Sequence, residues 1–301
     1  MVKERRKTEI EQNQADRKIV VGIGEVVWDL FPDGAYMGGA PANFVYYCQL
    51  LGQEGILISR VGEDELGRET CRRFSSHGLK TDFIQVDKIH PTGTVKVELN
   101  PEKIPTFTIE ENVAWDFLEK NDFLRTLAAK ASAICFGSLA SRSAISRETI
   151  NWFLEQVGPG CLRVLDINLR PPFFTAELLD RMLGKADVLK LNEAELQTIG
   201  ELFYPGLREE LSLCQRLLSD YRLRLIALTK GEKGSLLITP SEQSYHPAFI
   251  TGVVDTVGAG DAFTAALVTG LLQNDKLDDI NRQANWVASR VCAQKGAWVR
   301  L

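Results

Sequence analysis

Short apolar runs alternate with amphipathic segments along most of this chain, and this rhythm constrains the fold more than any other feature. From Ile19 onward, runs suited to buried strands occur at 19–23, 55–61, 133–137, 162–168, 187–192 and 224–229. Helical apolar patterns occur at about 41–51, 64–77, 120–130, 144–156, 207–220, 260–272 and 278–294. Apolar strands that alternate with helices are typical of a parallel sheet covered on both faces. The sequence therefore predicts an α/β fold with a central, mostly parallel sheet flanked by helices.

Two other regions depart from this rhythm. Residues 94–99 alternate apolar and polar side chains, and residues 107–109 repeat the alternation after a turn that contains proline. This pattern predicts a small antiparallel sheet with one solvent-exposed face. Residues 1–18 carry many charges of both signs and almost no apolar side chains, so we expect a charged tail there. The folded domain is predicted to span 19–301.

Charge and cysteine content limit the partners and the location. Lys and Arg total 35 against 40 for Asp and Glu, a net charge of −5, so we expect neither nucleic acid nor membrane as a partner. No apolar stretch is long enough to span a bilayer and the N-terminus lacks the apolar core of a signal peptide, which predicts a cytoplasmic location. The six scattered cysteines include no CxxC pair and are predicted to be reduced and mostly buried.

The segment DTVGAGDAF at 255–263 leads into an apolar helical pattern. Gly258 and Gly260 allow a tight turn with exposed N–H groups, and a helix N-terminus adds about half a positive charge. The segment is therefore suited to hold an anion, with Asp261 beside it. The alternative is that Asp261 only caps the helix.

The segment GGAPAN at 38–43 also places two glycines before a helix. Pro41 suits a first helical turn, the glycines allow close approach of a ligand to the backbone, and Asn43 follows one turn later. Standing alone, this pattern more often marks a plain tight turn at a helix start.

Together these two segments resemble the two signatures of the ribokinase-like (PfkB) family of carbohydrate kinases. The resemblance covers essentially the whole chain from Ile19 to Ala297. It implies the ribokinase-like fold and transfer of the γ-phosphate of ATP to a sugar hydroxyl. It also implies that Asp261 is the catalytic base. An aspartate beside an anion-binding turn suits phosphoryl transfer, which depends mainly on positioning and charge stabilisation. The anion hole would be formed by the amides from Val257 to Asp261, including Gly258, Ala259 and Gly260.

The resemblance also assigns the nucleotide side. NEAE at 192–195 matches the family's Asn-x-x-Glu motif, in which Glu195 would organise Mg²⁺ through water. The alternative is a solvated glutamate in a first helical turn. The remaining positions implied to bind ATP are Asn192, then Thr229, Gly231 and Gly234 in a turn for ribose and phosphate, and Asn285 for adenine.

On the sugar side, Asp166, Asn168 and Arg170 alternate along the chain, so an extended strand would present all three on one face. Arg170 could then fork onto phosphate or sugar oxygens, whereas an Asp166–Arg170 salt bridge is the structural alternative. The residues that the resemblance implies for sugar binding are Asp29, Gly38, Gly39, Asn43, Asn168, Arg170 and Asp261.

Several strings are similar to fructokinases in particular, among them GEVVWDLFP at 24–32, AWDF at 114–117 and DINLRPPF at 166–173. They imply D-fructose as substrate and fructose 6-phosphate as product. Another sugar, such as ribose or 2-keto-3-deoxygluconate, is the alternative, and a silent sugar sensor is disfavoured because Asp261 and the glycines are present. A dehydrogenase is also disfavoured, because Val27 replaces the third glycine of the dinucleotide pattern.

The resemblance further implies a β lid, formed by about 31–40 and 92–114, that closes over the sugar and can form a homodimer contact. It implies a K⁺ site at Asp255 together with carbonyls near Gly296. Ala293 stands where fructokinases commonly carry a polar residue and the chain ends at Leu301, so the expected activation by K⁺ is modest.

Overall fold

The computed structural model describes residues 17–32, 34–99 and 105–301. The predicted charged tail falls almost entirely outside the described residues. The strands, in chain order, are β1 (Ile19–Ile23), β2 (Val27–Phe31), β3 (Gly34–Gly38), β4 (Glu54–Gly62), β5 (Ile84–Asp87), β6 (Thr94–Leu99), β7 (Pro105–Ile109), β8 (Ala133–Phe136), β9 (Leu162–Asp166), β10 (Val188–Asn192), β11 (Leu225–Thr229), β12 (Ser235–Ile238) and β13 (Gln243–His246). The helices are α1 (Ala40–Leu50), α2 (Glu65–Ser76), α3 (Asp122–Ala128), α4 (Ala144–Gln156), α5 (Ala176–Leu183), α6 (Glu193–Phe203), α7 (Glu210–Asp220), α8 (Ala259–Gln273) and α9 (Leu277–Cys292).

A large sheet forms the centre of the described part of the chain, with strand order β13-β12-β11-β10-β9-β8-β1-β4-β5. From β5 across to β11 every neighbouring pair is parallel, and β12 and β13 add an antiparallel edge. The predicted α/β class is confirmed. In the large sheet β4 lies on one side of β1, and β8, which follows later in the chain, lies on the other side. The strand order therefore reverses at β1. In open α/β sheets, ligands bind at the carboxyl ends of the strands beside such a reversal.

Both faces of the large sheet are buried. Val20 packs into a core with α1, α8 and α9, whereas Val21 and Ile23 point to the opposite core, which includes α4 to α7. Successive strand side chains point to opposite faces, so a strand covered on both sides must be apolar throughout. This requirement explains why these strands appear in the amino-acid sequence as apolar runs.

The small sheet has the order β3-β2-β6-β7. Its β2–β3 and β6–β7 pairs are antiparallel and its central β2–β6 pair is parallel. Val95 and Val97 are buried while Lys96 between them is exposed, which is the one-sided alternation that the sequence shows. The sheet begins at Val27, upstream of the predicted lid boundary near residue 31. Part of the predicted lid, residues 100–104, lies outside the described residues.

A few elements differ from the sequence-based expectation. The short helix α5, the short strand β5 and the antiparallel edge β12–β13 were not predicted, and α7 begins at Glu210 rather than at 207. All six cysteines are free thiols, and four of them are buried, as expected. No helix in the described ranges has the length and apolar character needed to cross a membrane.

Candidate active site

Polar side chains gather at the carboxyl edge of the parallel strands, next to the reversal at β1. Glu25 follows β1, Asp166 ends β9, and Asn192 and Thr229 end β10 and β11. Helices α1 and α8 begin at this edge and are joined there, because the Asn43 amide of α1 binds the Asp261 carboxylate of α8. The two glycine-rich segments, far apart in the chain, therefore form one site.

The turn before α8 is shaped by Gly258. This residue is the N-cap of α8 and has a φ of 78°, a left-handed conformation that favours glycine. A Cβ atom there would lie 2.8 Å from the Ala297 carbonyl oxygen, so the turn also packs closely on the C-terminal segment. First-turn N–H groups of a helix have no carbonyl partner within it. The Ala259 N–H donates to the Thr256 carbonyl at 3.2 Å in the preceding turn, whereas the Gly260 N–H is available to an anion.

Asp261 lies in the first turn of α8 and does not cap it. Its Oδ2 accepts a 2.7 Å hydrogen bond from Asn43 Nδ2. Burial and the nearby Asp166 carboxylate raise the pKa of Asp261 to about 6, against the lowering effects of Asn43, Lys190 and Arg170. At neutral pH the carboxyl group of Asp261 is therefore mostly ionised. Its pKa also lies close enough to the pH of the solution for the group to accept a proton, as a general base must.

A buried ion pair lies against the first turn of α8. Lys190 Nζ lies 3.0 Å from Asp166 Oδ1, with side-chain exposures of 10% and 5%, and the Thr264 hydroxyl donates to Asp166 Oδ2 at 2.9 Å. A Cβ atom on Gly260 would lie 3.1 Å from Lys190 Nζ. Although burial alone would lower the pKa of Lys190, the carboxylates of Asp166, Glu195 and Asp261 raise it, so the ammonium is charged.

Asp29, which is predicted to bind the sugar, lies close enough to Arg170 for their charges to interact. Burial raises the pKa of Asp29 to about 6, and Arg170 is the charge that opposes this shift. Gly38 pairs with Val27 across β2 and β3, and Gly39 is the N-cap of α1 with a φ of 108°, where a Cβ atom would lie 2.6 Å from the Glu25 carbonyl oxygen. The glycine pair thus lets β3 turn directly into α1.

Asn168 and Arg170 do not extend β9. The strand ends at Asp166, and Asn168 has a φ of 40°, so the chain turns and the three polar residues do not share one face. The expectation of a common face is wrong because it assumed an extended backbone. The salt-bridge alternative is also wrong: Asp166 pairs with Lys190, and Arg170 remains exposed, with its Nη1 donating to the Leu169 carbonyl.

Asn192 and Glu195 form a reciprocal cap at the start of α6. The Asn192 side chain accepts from the Glu195 N–H at 2.9 Å, and Glu195 Oε2 accepts from the Asn192 N–H at 2.8 Å. Glu195 Oε1 accepts from the Leu169 N–H at 3.0 Å, which ties α6 to the turn that carries Arg170. Glu195 is buried, so the alternative of a solvated surface glutamate is wrong.

The other positions predicted to bind nucleotide lie further along the same edge. Thr229 ends β11, and Gly231 and Gly234 shape the turn to β12, where the Lys230 N–H binds the Gly234 carbonyl oxygen at 2.8 Å. Asn285 is buried behind this turn, and its Nδ2 donates to the Ser235 hydroxyl at 2.6 Å. The predicted roles of these residues in binding ATP stay predictions.

Asp255 connects the loop before α8 to the C-terminal segment. Its Oδ1 accepts from the Val257 N–H at 3.0 Å and its Oδ2 from the Gly296 N–H at 2.9 Å. Each oxygen keeps a further lone pair, and hard cations prefer oxygen ligands. In the described part of the chain, no three His, Cys, Asp or Glu side chains are grouped to hold a metal ion.

Three residues of this site were missed by the reading of the sequence: Glu25, Lys190 and Trp298. Burial raises the pKa of Glu25 to about 7, and its Oε2 is buried without a hydrogen-bond partner. The signal for Glu25 and Lys190 was a charged residue within or directly after an otherwise apolar strand. Trp298 Nε1 donates to Asn43 Oδ1 at 3.0 Å, and nothing in the local sequence around Trp298 indicates this contact.

Comparison with known proteins agrees with this geometry. Residues 17–299 match the model of the pfkB family carbohydrate kinases. The chain is 32% identical to a fructokinase of Klebsiella pneumoniae, with 86% of each chain covered, and 30% identical to a fructokinase of Escherichia coli, with 83% of each covered.

Solved structures give the same result. The Vibrio cholerae O395 fructokinase, crystallised with fructose, ADP and calcium ion, superposes with a TM-score of 0.80 at 27% identity, covering 94% of this chain and 95% of that one. An uncharacterized sugar kinase of Pyrococcus horikoshii in complex with ATP gives a TM-score of 0.79 at 28% identity, covering 93% and 94%. Because the family model spans nearly all of the described fold and both glycine-rich segments of its site, this chain belongs to the pfkB family of carbohydrate kinases.

Proposed function

We propose that the protein is an ATP-dependent fructokinase that phosphorylates the 6-hydroxyl of D-fructose. The observation that carries the phosphotransferase part is the contact of Asn43 with Asp261 beside the α8 N-terminus. It joins a polyol-binding amide, a proton acceptor and an anion-binding turn in one place. The fructokinase relatives and the fructose-bound neighbour support the choice of sugar.

In this proposal, Asp261 accepts the proton of the sugar hydroxyl as that oxygen attacks the γ-phosphorus. A new P–O bond forms to the sugar, the bond to the β-phosphate oxygen breaks, and ADP carries away the electron pair. The first-turn N–H groups of α8 stabilise the charge on the phosphoryl oxygens. Because Oδ2 of Asp261 accepts the Asn43 hydrogen bond, which lowers its basicity, Oδ1 is the more basic oxygen and receives the proton.

The charge around the sugar side favours a neutral substrate. Among the described residues, the carboxyl groups of Glu25, Asp29 and Asp261 all interact with the exposed Arg170, and Lys190, a second cation near Asp261, is already paired with Asp166. A phosphorylated or carboxylated sugar would add a further negative charge beside these carboxylates, and like charges repel. The small sheet that carries Asp29 would close over the sugar as a lid and exclude water.

We assign Mg²⁺ to the Glu195 side of the site. Each carboxylate oxygen of Glu195 accepts one backbone N–H bond and keeps a lone pair for a metal-bound water, which suits an ion that retains most of its waters. When bound, Mg²⁺ would neutralise charge on the phosphates of ATP. Asn192, Thr229 and the Gly231–Gly234 turn would contact the nucleotide.

The testing experiment is an ADP-release assay at saturating Mg-ATP across fructose, ribose, mannose, 2-keto-3-deoxygluconate, adenosine and fructose phosphates. Fructose is expected to have the highest kcat/KM, and ³¹P NMR of the product is expected to show fructose 6-phosphate. A higher kcat/KM for another compound in the panel would reject fructose as the substrate and leave the family assignment intact.

Asp29→Ala is expected to raise the KM for fructose about 5- to 150-fold and to leave the KM for ATP unchanged. The change leaves sugar hydroxyls without a partner in a closed pocket, which costs about 1–3 kcal/mol. Steady-state kinetics with each substrate varied in turn measures the effect. Asp82→Ala, an exposed position, is the matched control. Equal rises in both KM values would contradict a sugar-binding role for Asp29.

Arg170→Lys is expected to lower kcat/KM for fructose at least about tenfold, or about 1.4 kcal/mol of transition-state stabilisation, without a change in Tm. Lysine keeps the charge and loses the planar fork that can bind two oxygens at once. Arg216→Lys, in the exposed pair with Asp220, is the control. A drop in Tm with normal kinetics would mean that Arg170 only braces its turn.

Potassium is expected to raise kcat by less than tenfold, or under about 1.4 kcal/mol. The charge of Asp255 attracts the ion, while its two hydrogen bonds already hold the loop in place without one. The measurement compares KCl with tetramethylammonium chloride at constant ionic strength and saturating Mg-ATP. Asp255→Asn should remove the difference between the salts. Identical wild-type rates in both salts would reject the site.

A further inference from the structure

Trp298, near the C-terminus, begins a hydrogen-bond chain that ends on Asp261. Its indole Nε1 donates to Asn43 Oδ1 at 3.0 Å, and Asn43 Nδ2 donates to Asp261 Oδ2 at 2.7 Å. The contacts span 255 and 218 positions of sequence, so only the tertiary fold assembles this chain. The hydrogen-bond chain connects the segment after α9 with the first turns of α1 and with the first turn of α8.

The hydrogen bonds from Trp298 through Asn43 to Asp261 can have only one donor-to-acceptor direction. An indole N–H is a donor and never an acceptor, so the amide oxygen of Asn43 must face Trp298. The amide nitrogen of Asn43 must then face Asp261, and it can only donate. Oδ2 of Asp261 is therefore restricted to accepting, which favours the ionised carboxylate, since hydrogen bonds to a charged form stabilise that form.

Trp298 is itself held firmly. Its ring stacks on Tyr46 with centroids 4.4 Å apart and an interplanar angle of 8°, and it meets Phe74 edge-on at 5.0 Å. The backbone on either side is tied to α1, because the Tyr47 hydroxyl donates to the Ala297 carbonyl at 2.7 Å and the Tyr46 hydroxyl to the Val299 carbonyl at 3.1 Å. The indole N–H thus has a fixed position from which to orient Asn43.

We propose that Trp298 is a positioning residue for phosphoryl transfer, which acts through Asn43 to keep Asp261 ionised and to leave its Oδ1 free for the sugar hydroxyl. This inference rests on the proposed function, in which Asp261 is the base. One N–H of the Asn43 amide is used on Asp261 and the second remains for the sugar, so orienting Asn43 also serves its predicted role in sugar binding.

Other titratable and charged groups also set the proton affinity of Asp261. The titratable and charged groups that face Asp261 from the elements around it are Asp166, Lys190, Arg170, Glu25, Tyr47 and Cys135. On its outer side Trp298 meets the exposed His77 edge-on at 5.3 Å, so His77 is the group whose influence must be separated by a control.

The test is Trp298→Phe, which keeps an aromatic ring in the stack and removes the N–H donor together with one ring of the indole. Without that donor the Asn43 amide can turn its oxygen to a protonated Asp261, so the acid limb of the kcat profile is expected to move up by about 0.5 to 1 pH unit. Trp28→Phe is the matched control, because its indole donates a buried bond of the same 3.0 Å length to Thr70. Its acid limb is expected to stay at the wild-type position, and so is that of His77→Phe.

A double-mutant cycle shows whether Trp298 acts through Asn43. Asn43→Ala should also raise the acid limb, and adding Trp298→Phe to it should produce no further shift. An unchanged limb in the folded single variant would overturn the proposal. So would an additional shift in the Asn43→Ala background, or an equal shift in Trp28→Phe or His77→Phe.

A measurement without turnover separates this inference from the proposed function. Carboxyl ¹³C NMR titration of Asp261, with its signal identified by its loss in Asp261→Asn, reports the pKa directly. Absence of sugar phosphorylation by the wild type would reject the proposed function alone. The NMR pKa of Asp261 should still rise in Trp298→Phe, and an unchanged value would overturn the role of Trp298 in either case.

Discussion

Asp261→Asn is expected to lower kcat about 10²- to 10⁴-fold, with little change in the binding of ATP or fructose. Asparagine has the size of aspartate and keeps an oxygen that can accept the Asn43 hydrogen bond, but it cannot accept the proton of the hydroxyl. General-base catalysis contributes rate factors of about this size, or roughly 3 to 5.5 kcal/mol of barrier. Asp275→Asn, exposed just beyond the other end of α8, is the matched control.

The pH profile of the wild type provides a second measurement of the same base. Since burial raises the pKa of Asp261 to about 6, kcat should fall as the pH drops through about 6, where the base becomes protonated. Asp29, with its pKa also raised by burial to about 6, should make the fall in kcat/KM steeper than that in kcat. A folded Asp261→Asn variant that retains more than about a tenth of wild-type kcat would contradict the assignment of the base.

Lys190→Met is expected to lower the free energy of unfolding by about 3–5 kcal/mol, the usual cost of leaving one partner of a buried ion pair without the other. Methionine fills similar space, but it leaves the Asp166 carboxylate, 5% exposed, without its cation. Urea unfolding at an unchanged m-value measures the loss. The double variant Asp166→Asn/Lys190→Met should recover most of it, because it leaves no uncompensated charge.

The chain contains a matched control for this experiment. Arg163 and Asp187 form an ion pair across the same two neighbouring strands, near their opposite ends, with side-chain exposures of 38% and 19%. Arg163→Met is expected to cost about 1 kcal/mol or less, because water screens a partly exposed pair. A loss in Lys190→Met no larger than that in Arg163→Met would contradict the expected cost of breaking the buried pair.

Those features of the protein that depend on contiguous residues could be predicted from the sequence. The α/β class follows from apolar runs, because strands buried on both faces need apolar residues at every position. Gly258 and Asp261 could be singled out together because an anion-binding turn and a carboxylate in the following helical turn are neighbours in the chain. The same holds for Gly39 and Asn43 around the start of α1.

The tertiary structure decided everything that depends on distance, burial or backbone direction. Asn168 turns the chain after β9 and thereby separates Arg170 from Asp166, which an alternating pattern could not reveal. The pKa values of Asp29 and Asp261 near 6 arise from desolvation, and desolvation depends on what packs around a group. The Lys190–Asp166 pair and the chain from Trp298 through Asn43 to Asp261 join residues 24 to 255 positions apart. Local sequence determines which groups can donate, accept or carry charge, whereas only the packed fold determines which of them meet.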